Sequence, residues 1–474
     1  MPVSLPTVNP DPAIKFPADF RFGVADSDLQ VIGEDHTLAE EGSEPTMWKA
    51  FTERLGMPTP GPGIDRYHRW REDLDHLKRL GTRHYRTSVS MARTLQRDGS
   101  VNPAAIDWYK RYFGALKEAG ISIYATLYHW ELPQHLNEHG AWTDRATASA
   151  LQRHAQVVAE HLNEFIDEYF ILNEPWCSSM LSYYEGAHAP GRQSNDGRAN
   201  LKAAVHAAHH LLLAQGLAYD AIKQAAPQAK IGTVFNYQPS YTISTSQGDL
   251  DAARYGDRYY NTWFLDAIFA GRYPEDAGAL YGPDALPAGY EKDMETIKVG
   301  PKLHAFGVNY YRGALYRASN NEVKHEEVIL EKGPRNGLGW PVFEPPYYPE
   351  GMYDILQQIY FGYRALGLKR LYASENGLAL KTPWDGRSDL IDDEPRIHYI
   401  SEHLRQLHKA LLHGIPVEAY FYWTMMDNFE WAEGYAPESA FGLIHVDMPS
   451  LTRVWKKSAH WYSEVARTHE VAPK

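Results

Sequence analysis

Short apolar or aromatic runs alternate along this chain with long amphipathic stretches. The runs at 20–25, 84–89, 121–129, 168–172, 230–235, 305–311, 370–374 and 417–424 read as strands. Between them, apolar residues recur at helical spacing over 66–80, 104–119, 146–164, 199–224, 351–366 and 395–413, with a last such stretch at 454–466. In the first, Trp70, Leu74, Leu77 and Leu80 fall on one face among charged residues. Strands separated by helices run parallel, because each parallel connection needs a crossover. Repetition of this unit without a second compositional region predicts a single α/β domain over residues 1–474, a (β/α)8 TIM barrel with long βα loops. The longest loops are expected at 238–256 and 320–348. An open doubly wound sheet is the competitor, but no glycine-rich phosphate turn follows any strand, and Gly61-Pro62-Gly63 lacks the third glycine.

Composition narrows the partners. Lys and Arg total 47 against 60 Asp and Glu, a net charge of -13, which repels phosphate backbones and argues against nucleic acid. No apolar run approaches the ~18 residues of a membrane span. Residues 1–17 carry neither a basic nor an apolar signal region, so no signal peptide is expected. Cys177 is the only cysteine, which rules out an internal disulfide and leaves the cytoplasm as the default location. The 13 Trp, 32 Tyr and 16 Phe fit a large core with tyrosines at its margin, or a cleft whose rings stack on a sugar.

Barrels of this type carry their chemistry at the C-terminal ends of the strands. Reading those ends gives Gln30, Arg86, His129-Trp130, Asn173-Glu174-Pro175-Trp176, Asn309-Tyr310-Tyr311, Glu375-Asn376-Gly377 and Trp423, then Asp427, Glu430 and Trp431. Taken alone, Glu174 before proline is a loop or cap residue, Glu375-Asn376-Gly377 is a turn, and His129 is structural. Together they place two carboxyl groups in one mouth. Glycosidic cleavage needs that pair: a protonated acid for the leaving oxygen and an ionised partner at the oxocarbenium-like centre. Like-charge repulsion separates their pKa values, and an arginine beside one holds it ionised.

These strings resemble glycoside hydrolase family 1, the β-glucosidase and β-galactosidase family. The specific pieces are 172–176, 374–377 and 427–431, supported by 85–88, 128–130 and 309–311. The resemblance implies a retaining, exo-acting β-glycosidase, most simply a β-glucosidase with possible β-galactosidase or β-fucosidase activity, on small β-glycosides or short oligosaccharides. It implies Glu174 as acid/base and Glu375 as nucleophile, with Arg86 and Tyr311 bonded to the nucleophile and Asn173 to the sugar 2-hydroxyl. Gln30, His129, Glu430 and Trp431 match groups holding the outer hydroxyls. Trp423 matches the platform under the ring, Trp176 an aromatic near the leaving group, and Asn309 a supporting amide. A carboxylate at Glu430 argues against 6-phosphosugars. Ile32, Met91 and the 432–440 loop depart from the family pattern. Transglycosylation on the same site, and a non-catalytic sugar-binding barrel, are the alternatives.

No cofactor or metal is expected. His206, His209 and His210 read as a structural helix, the acidic residues around His36 (Glu34, Asp35, Glu40, Glu41) as a solvated stretch, and Cys177 as a buried or bystander thiol.

Overall fold

The computed structural model describes residues 12–282, 284–330, 333–340 and 349–473. Eight parallel strands close into a barrel: β1 (Arg21–Ala25), β2 (His84–Ser88), β3 (Ser122–Tyr128), β4 (Ile166–Asn173), β5 (Ile231–Asn236), β6 (Phe306–Asn309), β7 (Leu371–Asn376) and β8 (Val417–Trp423). Each predicted run contains or overlaps one of them. Crossovers are made by α1 (Arg66–Leu80), α2 (Pro103–Glu118), α3 (Ala146–Leu162), α4 (Gly197–Ala225), α5 (Trp263–Ala270), α6 (Glu350–Tyr363) and α7 (Glu394–Leu412), and α8 (Lys457–Thr468) follows the last strand. The expected (β/α)8 architecture is therefore present.

Local chemistry sets the helix ends. Asn102 accepts from the Ala104 amide with Pro103 at the first turn of α2, and Asp196 accepts from the Arg198 amide to start α4. Gly81, at φ 77°, ends α1, whose buried face is the expected Trp70, Leu74, Leu77 and Leu80. Inside the barrel, Tyr124, Phe170, Val234, Tyr372 and Phe421 fill the floor beneath the mouth. The pocket above it is therefore a cup rather than a pore.

Two expectations fail. Residues 238–256 are not a plain loop: strand Ser240–Thr242 and helix Gln247–Asp257 occupy most of them, and a π-helical turn at Arg258–Thr262 leads into α5. Polar Gln247–Asp257 buries only Ala252 and Gly256, too narrow a face to read as periodicity. The stretch 454–466 begins as a strand, Thr452–Lys456, paired antiparallel with Ile444–Asp447. Alternating Val454 and Lys456 suit a strand because Lys456 turns inward onto Asp427, and the helix starts only at Lys457. Part of the predicted 320–348 loop, 331–332 and 341–348, and most of the amino-terminal segment lie outside the described residues. Among those described, no helix is long and apolar enough to cross a membrane.

Candidate active site

The strand ends enclose a cavity of about 650 Å³. The chain enters it through irregular backbone. Register shifts interrupt β4–β5 between Phe170 and Asn173, and β6–β7 between Ala373 and Glu375. Such bulges re-aim a side chain at the rim of a barrel. Glu174, Trp130 and Trp431 also hold positive φ values of 49°, 75° and 44°, conformations that non-glycine residues keep only where surrounding bonds fix them. Gly377 is not the positive-φ turn residue suggested by Asn-Gly. A Cβ there would lie 1.9 Å from the Trp423 carbonyl oxygen, so close approach of β8 requires the glycine.

Glu375 is buried, and its two oxygens accept from different groups: Arg86 Nη1 at 2.5 Å and the Tyr311 hydroxyl at 2.8 Å. Arg86 is anchored in turn. Its Nη2 donates to Asn173 Oδ1 at 2.6 Å, and its guanidinium lies 5.7 Å over the Phe170 ring of the barrel floor. Glu174 accepts from Asn309 Nδ2 at 2.6 Å and from the Cys177 thiol at 3.0 Å. Asn309 also donates to Asn173 Oδ1 at 3.1 Å and accepts from Ser374 Oγ at 2.8 Å. One amide thus links the segments carrying both acids.

The two acids differ in what faces them. Burial, then the neighbouring charge of Glu375, pushes Glu174 up to about 8, against the smaller opposing effects of Asn309, Cys177 and Arg86. Burial raises Glu375 as well, but Arg86 and Tyr311 favour its ionised form and oppose that rise. Glu430 in the same cavity is raised well above the carboxylate range by burial and by Glu375, Glu433 and Glu174. Glu174, Glu375 and Glu430 thus share one cleft, and the Arg312 in its wall is already paired with Glu327.

His129, Trp176, Asn309, Tyr311, Trp423, Glu430 and Trp431 line the cavity with both acids. His129 stacks between Trp423, at 5.5 Å, and Trp431, at 6.0 Å. Burial and Arg86 push its pKa well down, so the ring is neutral. Asn173 donates to Nε2, which puts the ring proton on Nδ1, an atom with no hydrogen-bond partner. Trp176 Nε1 is likewise buried without a partner, and its ring packs 4.2 Å from Tyr260. Arg86 and Asn173 lie behind the wall as supports. Gln30 is also outside the lining: its Oε1 accepts from Ser27 at 2.7 Å, and its Nε2 donates to the Phe429 carbonyl at 2.7 Å. Its amide therefore ties the loop after β1 to the segment carrying Glu430 and Trp431.

Several functional positions escaped the sequence reading. Cys177 is buried as expected but is no bystander, since burial and Glu174 keep it protonated and it donates to that acid. The outer wall comes from Tyr184 and Glu185 on a π-helical turn, Cys177–Glu185, from Tyr259, and from Arg312, His325 and Glu327 around a small sheet. No spacing marks these residues, because they sit in insertions rather than at strand ends. The acidic stretch around His36 is only half solvated. Asp35 and Glu40 are exposed, while Glu34 accepts from the Thr46 amide and Glu41 pairs with Arg93, both buried. The α4 histidines are structural where their partners are seen: His209 bonds Tyr273 and Asp293, and His210 the Trp142 carbonyl.

Comparison with known proteins agrees with this geometry. Residues 13–471 match the pattern of glycosyl hydrolase family 1. The chain is 34% identical over 469 residues to a beta-glucosidase of Agrobacterium sp., covering 96% of each. It is 32% identical to a bifunctional beta-D-glucosidase/beta-D-fucosidase of Bifidobacterium breve, covering 96% of this chain and 98% of that one. A family 1 glycoside hydrolase of Thermotoga maritima, solved with a cyclophellitol analogue transition state mimic, superposes with a TM-score of 0.88 at 32% identity, covering 96% of this chain and 99% of the other. The chain belongs to glycosyl hydrolase family 1, and it is a glycoside hydrolase.

Proposed function

We propose that this family 1 hydrolase is a retaining, exo-acting β-glucosidase in which Glu375 is the nucleophile and Glu174 the acid/base. The observation that carries the assignment is the asymmetry of partners. Glu375 faces the guanidinium of Arg86, whereas Glu174 faces a neutral amide and a thiol. The acid paired with a cation keeps the charge, and the acid raised by its neighbour keeps the proton.

In the first step, a Glu375 oxygen attacks the anomeric carbon while Glu174 gives its proton to the departing glycosidic oxygen. The carbon–oxygen bond breaks, the aglycone leaves as an alcohol, and the sugar is held as an ester of Glu375. In the second step, Glu174, now a carboxylate, takes a proton from water as the water oxygen attacks the same carbon. The ester bond breaks, Glu375 is ionised again, and two inversions give net retention. Tyr311 follows the charge on Glu375 through both steps, and Asn173 would serve the 2-hydroxyl by giving up one of its present bonds, to Arg86, Asn309 or His129.

Trp423 would lie beneath the ring, and Gln30, His129, Glu430 and Trp431 would take the outer hydroxyls, Gln30 by exchanging a present bond. The partnerless Nδ1 of His129 suits this role. Asn309 holds Glu174 in place, and Trp176 borders the leaving group. A 6-phosphate is disfavoured beside Glu430, because the cleft's arginine is already neutralised by Glu327. The name of the Bifidobacterium breve relative makes a β-fucoside a natural second substrate. A cytoplasmic location belongs to the same proposal, supported by a sequence with a single cysteine and so no internal disulfide.

The test is Glu375→Gly. Turnover of p-nitrophenyl β-D-glucoside should fall by at least on the order of 10⁴-fold. Added azide should then restore product as the α-glucosyl azide. Ordinary turnover in this variant, or a β-azide product, would remove Glu375 from the nucleophile's role.

A further inference from the structure

On the rim of the molecule, two elements bring two histidines and two carboxylates together. His36 and Glu40 lie one turn apart on the short helix Asp35–Glu40, and His68 lies in the first turn of α1 just after Asp65. His68 Nε2 is 2.9 Å from Glu40 Oε1, and His36 Nδ1 is 4.0 Å from the same oxygen. The other nitrogen of each ring turns the opposite way, to Asp65 Oδ1, at 2.7 Å from His68 Nδ1 and 3.4 Å from His36 Nε2. His36 Nδ1, His68 Nε2 and Glu40 Oε1 therefore face one another, with each ring's far nitrogen near a single carboxylate.

We propose that His36, Glu40 and His68 form a binding site for a divalent transition ion of the zinc type, with Asp65 as the positioning residue for both imidazoles. Two imidazoles and one carboxylate form a ligand set that suits zinc, nickel or copper and disfavours calcium or magnesium. A carboxylate on the outer nitrogen of a ligating histidine fixes its tautomer and aims the inner lone pair at the metal. Here one aspartate does this for both rings. Glu40 and Asp65 together offset the ion's double charge.

The arrangement is pre-formed. The Gly61 carbonyl accepts from the amides of Glu34, at 2.7 Å, and Asp35, at 3.0 Å, which pins the short helix to the turn before α1. A Cβ on Gly63 would lie 2.5 Å from the Val31 carbonyl oxygen, so the two segments pack backbone to backbone. Asp65 itself holds φ 56°. The His36 and His68 side chains are 30% and 43% exposed, open enough for an ion to enter from solvent.

The experiment is calorimetric titration of Zn²⁺ into tag-free, chelator-dialysed full-length protein at neutral pH. One ion per chain is expected, with a Zn²⁺-dependent rise in Tm because only the folded chain holds the site. H36A and H68A should each lose that ion. D65N should weaken it by about 10–100-fold, the usual effect of losing such an outer partner. H206A, on α4, should bind as the parent does. Basal hydrolysis in chelator should be unchanged in H36A and H68A. No uptake by the parent overturns the proposal, as does equal uptake by the H36A/H68A double variant. Uptake that survives the double variant and vanishes in E375Q would assign the ion to the catalytic carboxylates and likewise overturn it.

Discussion

The inner and outer halves of the cleft are held together by different contacts. In the inner half, Arg86, Asn173, Asn309 and Tyr311 extend from strand ends, and each bonds another member of the set or Glu375. In the outer half, Tyr184 donates to Glu322, Tyr259 to Glu185, and Arg312 pairs with Glu327, all on insertions between barrel elements. The inner set is locked by the spacing of a closed sheet, so its residues depend on one another. The outer set is held by side-chain pairs on separate insertions, joined by ring contacts such as those of Tyr259 with Tyr184 and His325, so each pair should be replaceable with less disturbance of the floor. Chemistry should therefore be fragile to inner substitutions, and preference among aglycones should respond to outer ones.

Breaking the inner half at the acid should have the largest effect. Glu174→Ala is expected to slow poorly activated alkyl β-glucosides by about 10²–10⁴-fold, while a p-nitrophenyl glucoside loses much less. Equal losses on both would show that Glu174 does not protonate the leaving group. If Glu174 is the acid, it works only while protonated, so kcat/KM of the parent should fall as pH rises through about 8.

Arg86→Met should come next, because it leaves Glu375 buried without its cation. A loss of about 3–5 kcal/mol is expected from denaturant midpoints at neutral pH. Glu375 would then hold its proton to higher pH, so the acidic limb of kcat/KM should move up. An unmoved limb would detach Arg86 from the nucleophile.

Arg312→Ala sharpens the contrast from the other side. It should alter KM for β-linked disaccharides several-fold and leave kcat on p-nitrophenyl β-D-glucoside close to the parent. A large fall in kcat on the aryl glucoside would erase the distinction between the halves.

Cys177→Ala is the mildest. The thiol's bond favours the ionised form of Glu174, so its removal should raise that pKa and carry the alkaline limb upward by a fraction of a pH unit. A downward shift would contradict the bond.

Residues 84–88 show how much was legible in advance. The short run at 84–89 marked a strand, and the barrel rule placed Arg86 at the mouth with the acids. Asn309 and Tyr311 were legible for the same reason. Gln30 was legible as a strand-end residue, but its bond to the Phe429 carbonyl depends on a segment 399 residues away in sequence, which no local pattern reports. The strand at Thr452–Lys456 was missed because Lys456 reads as a surface residue until Asp427, itself bonded to the Gly442 amide, supplies a buried partner. The outer wall was missed because its insertions have no period.

By itself, the sequence determined the eight-fold alternation and therefore the barrel, and with it the end of the barrel at which Glu174 and Glu375 meet. Both follow from short-range periodicity and from a rule that binds every closed parallel sheet. Only the tertiary structure decided which partner faces each oxygen of the two acids, the bond from Cys177 among them, and the meeting of His36 and Glu40 with His68 and Asp65. Each is a through-space distance of a few ångströms between residues on different elements. Electrostatics and hydrogen bonding depend on such distances, and the order of residues along the chain does not supply them.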